Sequence, residues 1–292
     1  MALDELVYVA QGRGLTAITS PEGATRTFEW QKHSLFMLPR NHESRFSSTQ
    51  GDQPARLLHY NSLPLATAPL PDPEFFFSAE YRGEARLVGQ DGSDLYSEAK
   101  VVESAGGGAQ RLQWVGNFFP DMRAWDRIIP YKGRGAGGHV VWIRYPDSPL
   151  WNHMSIFPSK TYKKAHRHGP GTLIVIPTGE GYSYMWPEGG ERVHIPWHEA
   201  SVFVPPDRWF HQHFNAGGDP ARYLAFHSPR GFEGNTERVI DVARDQIEYP
   251  AEDRIIRETF EHELDKRGLR SLMPDEAYRD PTYEWAYADD EA

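Results

Sequence analysis

The most constraining feature of this sequence is an internal repeat. VYVAQGRGLTAITSPEG at 7–23 parallels IVIPTGEGYSYMWPEG at 174–189, with Gly12 and Gly14 matched to Gly179 and Gly181. WQKHSLFMLPR at 30–40 parallels WHEASVFVPPD at 197–207, and GDQPARLLHYN at 51–61 parallels GDPARYLAFH at 218–227. The order and the spacing agree, so the chain holds two copies of one module. Each copy reads as strand, tight turn, strand, turn, strand, and Pro187-Glu188-Gly189-Gly190 is a hairpin signal. Short apolar strands joined by Gly- and Pro-rich turns must hide their edges, which predicts an all-β fold of barrels or sandwiches.

Composition removes several classes. Apolar residues make up 39% and aromatics 13% of the 292 residues, enough for a packed core. A net charge of −10 without a basic stripe argues against nucleic acid and against an anionic membrane surface. The absence of cysteine excludes disulfides, thiolate metal sites and Cys nucleophiles. No apolar run reaches the ~20 residues of a membrane span. The opening MALDELVYVAQG lacks a secretory pattern, so a cytoplasmic protein is expected.

The two copies differ at their starts. Only six residues precede Val7, whereas residues 113–173 extend the second copy toward the N-terminus. The expected organisation is a partial, degenerate first module at 1–70, a linker at 71–112, a metal-binding module at 113–235, and a C-terminal helix with an acidic tail at 236–292. Residues 71–112 or a neighbouring subunit should cover the open first module, and Phe75-Phe76-Phe77 should pack on a barrel. Ile256, Phe260 and Leu264 recur at helical spacing, and Gly268 is a natural stop.

Two histidine clusters stand out. His166 and His168 alternate in HRHGPGT, and His211 and His213 alternate in HQHFN, so on strands each pair shares one face. Side by side, His166, His168 and His211 offer three imidazoles to one metal ion. The chain resembles the cupin superfamily at these residues: His166-Arg167-His168 with Gly179 matches its first motif, and Pro206, His211 and Asn215 match its second. The resemblance implies a bicupin, two small β-barrels of which the second holds the metal. It also implies His166, His168 and His211 as ligands. Two departures are visible. Thr172 or Leu173 stands where the motif has a ligand glutamate, and Arg208 replaces the glycine of the second motif. In the first copy the counterpart of His211 is about Ser44, so that module should bind no metal.

Within cupins, HRH and Trp209-Phe210-His211-Gln212-His213-Phe214-Asn215 are similar to the gentisate 1,2-dioxygenase group and to cupin-domain proteins of no assigned function. This implies a divalent metal, Fe(II) first and Mn, Ni or Zn as alternatives. It further implies a dioxygenase acting with O2 on a small aromatic acid or diketone. A non-redox isomerase, cyclase, lyase or decarboxylase is the alternative, and a non-catalytic binding cupin the third reading. His213 is the candidate acid/base group. Trp209, His153, Tyr184 and Arg144 are candidates for substrate contact, the arginine because its fork matches a carboxylate. Trp151, His153 and Ser155 alternate on one strand and Tyr182, Tyr184 and Trp186 on another; the sequence does not fix which face lines a pocket. Lys163-Lys164 reads as a solvated edge. GRGAGG at 133–138 lacks the Lys-Ser/Thr ending of a P-loop and reads as a flexible turn. The unpartnered module and the amphipathic helix lead us to expect a homodimer or higher homo-oligomer.

Overall fold

The computed structural model describes residues 1–78, 87–97, 99–106, 109–124, 126, 128–169, 172–229 and 241–287. Pro170 and Gly171 of HRHGPGT, the expected boundary near 235 and the end of the acidic tail lie outside the described residues. The fold is all-β with short helices, as the turn-rich repeat predicts. Two compact units can be separated. One comprises Met1–Arg127, Trp142–Asn152 and Phe226–Phe232, and the other Ile128–Val141, His153–Ala225 and Glu233–Ala292.

In the first unit a four-stranded sheet runs in the order Arg56–Asn61, Glu5–Gln11, Leu35–Leu38, Phe118–Phe119. A three-stranded sheet has the order Thr25–Gln31, Arg13–Thr19, Glu43–Ser48. Arg13–Thr19 alternates buried and half-buried positions, the signature of a strand with one face on the core. That core is Val7, Val9, Ile18, Phe28, Trp30, Phe36 and Leu38, joined by Leu87, Leu95 and Tyr96. Residues 71–112 therefore do more than connect. They add these three core side chains, the helix Pro73–Phe77 and the paired strands Lys100–Gly106 and Ala109–Val115. The phenylalanine run departs from expectation: Phe76 is buried, while Phe75 and Phe77 stay exposed. Helix geometry explains this, because consecutive side chains on a one-turn helix point about 100° apart and only one meets the core.

In the second unit five strands follow the order Val193–Trp197, Gly181–Trp186, Phe210–Asn215, Ala165–His166, Gln246–Ile247. One face is apolar and meets the C-terminal helix Arg254–Asp265, whose Ile256, Phe260 and Leu264 pack with Tyr162, Tyr182, Phe214 and Tyr249. Asp253 caps that helix by accepting the Ile255 N–H at 3.1 Å, and Gly268 takes a left-handed φ of 68° beyond its end. A second apolar cluster holds Phe157, Ile174, Ile176, Trp197, Tyr223 and Ala225. Among the described residues no helix is long and apolar enough to cross a membrane.

Candidate metal centre

Strand register decides what faces what. Directly opposed residues of an antiparallel pair project to the same side of the sheet. His166 opposes His211 on one side and Gln246 on the other, while Met185 opposes His211 and Ser183 opposes His213. The inner face therefore carries His166, His211, His213, Ser183 and Gln246. One candidate ligand nitrogen from each of His166, His168 and His211 lies within 4.8 Å of the other two.

Each of the three rings is oriented by a backbone carbonyl. Nδ1 of His166 meets Lys164 O at 3.2 Å, Nδ1 of His168 meets Gly169 O at 3.0 Å, and Nδ1 of His211 meets Trp209 O at 3.1 Å. A carbonyl only accepts, so in each case Nδ1–H donates. The lone pair of the neutral ring is then on Nε2, which is what a metal ligand requires. Burial reinforces the neutral form. It holds His166 and His211 well below the usual imidazole range and lowers His168. The donor set therefore fits a divalent ion. Among the described residues no carboxylate joins the group, and Thr172 is buried.

The remaining candidates fall in different places. His213 stands apart from the trio, its ring 5.5 Å from that of His211, with Nδ1 on Ser183 Oγ at 2.7 Å. Ser183 Oγ also accepts the Trp197 indole N–H at 3.1 Å. Burial depresses His213 as well, so it is a neutral ring. His153 is pushed down to about 3 by burial and by the charge of Lys163, with His168 and Arg134 adding to the effect. Trp209 contributes its carbonyl to His211. Tyr184 is not brought to the trio. It opposes Gln212, on the face away from His211 and His213, where it rests against Tyr182, His194 and Phe214. Arg144 belongs to the first unit and stacks 4.9 Å over Trp151, which also stacks on His227 with ring centroids 3.7 Å apart.

Two cations that the sequence reading sets aside are part of the second unit's interior. Lys163 is 5% exposed; its ammonium reaches Ser155 Oγ and lies 5.0 Å from the Phe157 ring and 5.8 Å from Tyr223. Burial, with the nearby charge of Arg134, pulls it down to about 7. The solvated-edge reading is thus corrected, because Ser155 and the aromatic rings enclose the amine. Arg134 is 8% exposed, in the loop expected to be a flexible turn. That loop is tied down: Tyr131 N–H donates to Gly138 O at 2.7 Å and Lys164 N–H to Arg134 O at 3.0 Å. Sequence could have flagged Lys163 only through its position three residues before His166, in the segment leading to the site.

A third set of charges fixes the histidine strand from behind. Arg167 alternates away from His166 and His168; its backbone N–H donates to Asp245 O at 2.9 Å and its Nε to Asp245 Oδ1 at 2.9 Å. Arg208 and Arg244 bind the same carboxylate, at 3.1 and 2.8 Å. Arg244, with Arg167 and Arg208, holds Asp245 well below the usual carboxylate range. Arg208 does this from a left-handed φ of 60°, so the turn keeps the glycine-like conformation of the motif without the glycine.

No family model and no curated protein sequence matches the chain. Solved structures similar to it include a tryptophan-to-tyrosine variant of Bacillus subtilis oxalate decarboxylase, with 13% identity over 77% of this chain and 63% of that one, at a TM-score of 0.45. Lactobacillus farciminis oxalate decarboxylase in a formate complex aligns at 12% identity over 78% of this chain and 71% of that one, at a TM-score of 0.48. The Bacillus subtilis enzyme at pH 4.6 aligns at 10% identity over 95% of this chain and 71% of that one, at a TM-score of 0.47. The chain thus spans 63% to 71% of the length of these structures.

Proposed function

We propose that this chain is a cupin-type metal enzyme that performs non-redox chemistry, an isomerisation or a lyase-type bond cleavage, on a small molecule. The observation that carries this reading is the trio of neutral imidazoles, two buried and one half-buried, each with Nδ1 held by a carbonyl and Nε2 left to ligate. A divalent ion bound by three neutral ligands keeps its full charge and serves as a Lewis acid toward a substrate oxygen. Lys163 supplies the complementary group. An amine that titrates near neutrality can both take and give a proton, which isomerases and lyases need. The resemblance-based dioxygenase reading draws on the same three histidines but leaves the buried lysine without a task.

The test is turnover with and without oxygen. The protein is purified without added metal, its metal content measured, and then loaded in turn with Mn, Zn, Ni and, anaerobically, Fe(II). A panel of small hydroxy and keto acids, with oxalate and gentisate included, is assayed for product and for O2 uptake. Turnover that persists without O2 supports this reading; turnover that strictly requires O2 overturns it in favour of the oxygenase. Lys163→Met should flatten the neutral limb of the pH–rate profile. It also has a stability signature. Between about 7 and the ordinary 10.5 the unfolded lysine is protonated and the folded one is not, so wild-type stability climbs with pH through that window. Below about 7 the folded protein holds a buried ammonium, and Lys163→Met should be more stable by a few kcal/mol, a gain that fades toward pH 10.

A further inference from the structure

Arg134 is 8% exposed, yet among the described residues no carboxylate pairs with it. Its side-chain hydrogen bond runs from Nη1 to the neutral amide oxygen of Gln246, at 2.7 Å. A guanidinium has five N–H donors, so most of its capacity is unspent. A buried cation with no counter-charge is costly and implies a partner that arrives with the ligand.

Its location follows from register. Gln246 opposes His166, so the amide that holds Arg134 is on the face that carries the histidines. The loop is built to keep the arginine there. Gly135 next to it has a left-handed φ of 69°, and the Tyr249 hydroxyl occupies the space where a Cβ would go. Tyr249 is itself anchored, donating to Tyr162 O at 2.6 Å. The acid nearest in this network is already neutralised: Gln246 Nε2 donates to Glu248 Oε1 at 2.7 Å, and Glu248 pairs with Lys164 at 2.5 Å. Arg134 therefore places an uncompensated positive charge beside the face that carries the histidines.

We propose that Arg134 is the anion-holding residue of this site and takes a carboxylate of a small organic acid whose reacting part sits at the three-histidine centre. The planar fork suits the two oxygens of a carboxylate. The inference rests on the enzyme reading above for what happens at the histidines. Its own content is the assignment of Arg134 as the residue that holds the carboxylate.

The test measures binding, not turnover. Acetate, malonate, acetamide and inorganic phosphate are titrated by calorimetry into the full chain, metal-free and zinc-loaded. Wild type is compared with Arg134→Gln, Arg134→Lys and, as a control, Arg254→Gln, whose side chain is 93% exposed. Arg134→Gln should weaken carboxylate binding by roughly 10- to 100-fold, Arg134→Lys by less, and Arg254→Gln not at all. Arg134→Gln should still fold and still take up zinc, as thermal melts and zinc titration would show. Carboxylates that bind Arg134→Gln as tightly as wild type overturn the proposal. So does acetamide binding equal to acetate, or Arg134-dependent binding of phosphate alone. The two readings fail separately. A chain that takes up no metal but binds carboxylate through Arg134 refutes the enzyme reading and keeps this one. A chain that takes up zinc while Arg134→Gln is silent refutes only the anion site.

Discussion

Position by position, about 167 residues apart, the two modules make the same backbone demands and put different chemistry on them. Gly12 and Gly179 have φ values of 96° and 99°, and a Cβ at either would lie 2.8 Å from the Cα of Ala55 or of Ala221. His33 and Ala200 share a left-handed conformation, as do Asn41 and Arg208. Trp30 donates its indole N–H to Thr16 at 2.9 Å, and Trp197 donates to Ser183 at 3.1 Å. Register matches as well: Ile18 opposes Ser44 as Met185 opposes His211, and Thr16 opposes Phe46 as Ser183 opposes His213. The frame is thus indifferent to what it displays. In the second module the hydroxyl below the tryptophan also holds His213; in the first, the matching position is Phe46, edge-on to His59 and tilted toward Phe36.

The comparison can be broken most forcefully at the glycines Gly14 and Gly181. A Cβ at Gly181 would run into Phe214 O and the Trp197 ring, and one at Gly14 into Ser47 O and the Trp30 ring. Gly181→Ala and Gly14→Ala should each cost about 3 kcal/mol or more. Denaturant unfolding followed by tryptophan fluorescence reads both, and a tolerated alanine at either would end the equivalence. The next effect concerns the chemistry. His211→Ala should lower metal affinity on the order of 100-fold or more, whereas Ser44→His should leave the number of ions bound per chain unchanged. Calorimetric metal titration decides this, and a new binding event in Ser44→His would show that the first module retains a latent centre. The smallest effect is at the shared left-handed turn. Arg208→Gly relieves about 1 kcal/mol of backbone strain but removes one of three cations from Asp245, so the two changes should nearly cancel. Asn41→Gly relieves the same strain without removing a charge, so the difference between the two variants isolates the charge removed from Asp245. Thermal melts of the pair sharpen the contrast.

What could be read beforehand was what depends on local period and spacing. The repeat predicts Ser44 as the counterpart of His211, and the helical apolar spacing predicts that Ile256, Phe260 and Leu264 are buried. What could not be read depends on segments distant in sequence. Lys163 looks like a surface lysine until Ser155, Phe157 and Tyr223 close around it. Arg134 sits in a run of glycines whose order comes from Tyr249, more than 100 residues later. The side taken by Tyr184 is a matter of parity, and parity requires knowing that Ser183 opposes His213. Asp245 was invisible as a site component because its role is defined by three arginines drawn from separate segments.

The pairing of Ala165–His166 with Gln246–Ile247 has a consequence in time. The strand carrying the first ligands finds its second neighbour, and Arg167 its carboxylate, only after a stretch of some 80 residues has been made. At ribosomal speeds of roughly 5–20 residues per second, that is a delay of several seconds. During synthesis the histidines emerge well before the segment that braces them. Acquisition of an ion at this centre would then wait for the bracing segment rather than accompany the emergence of the histidines.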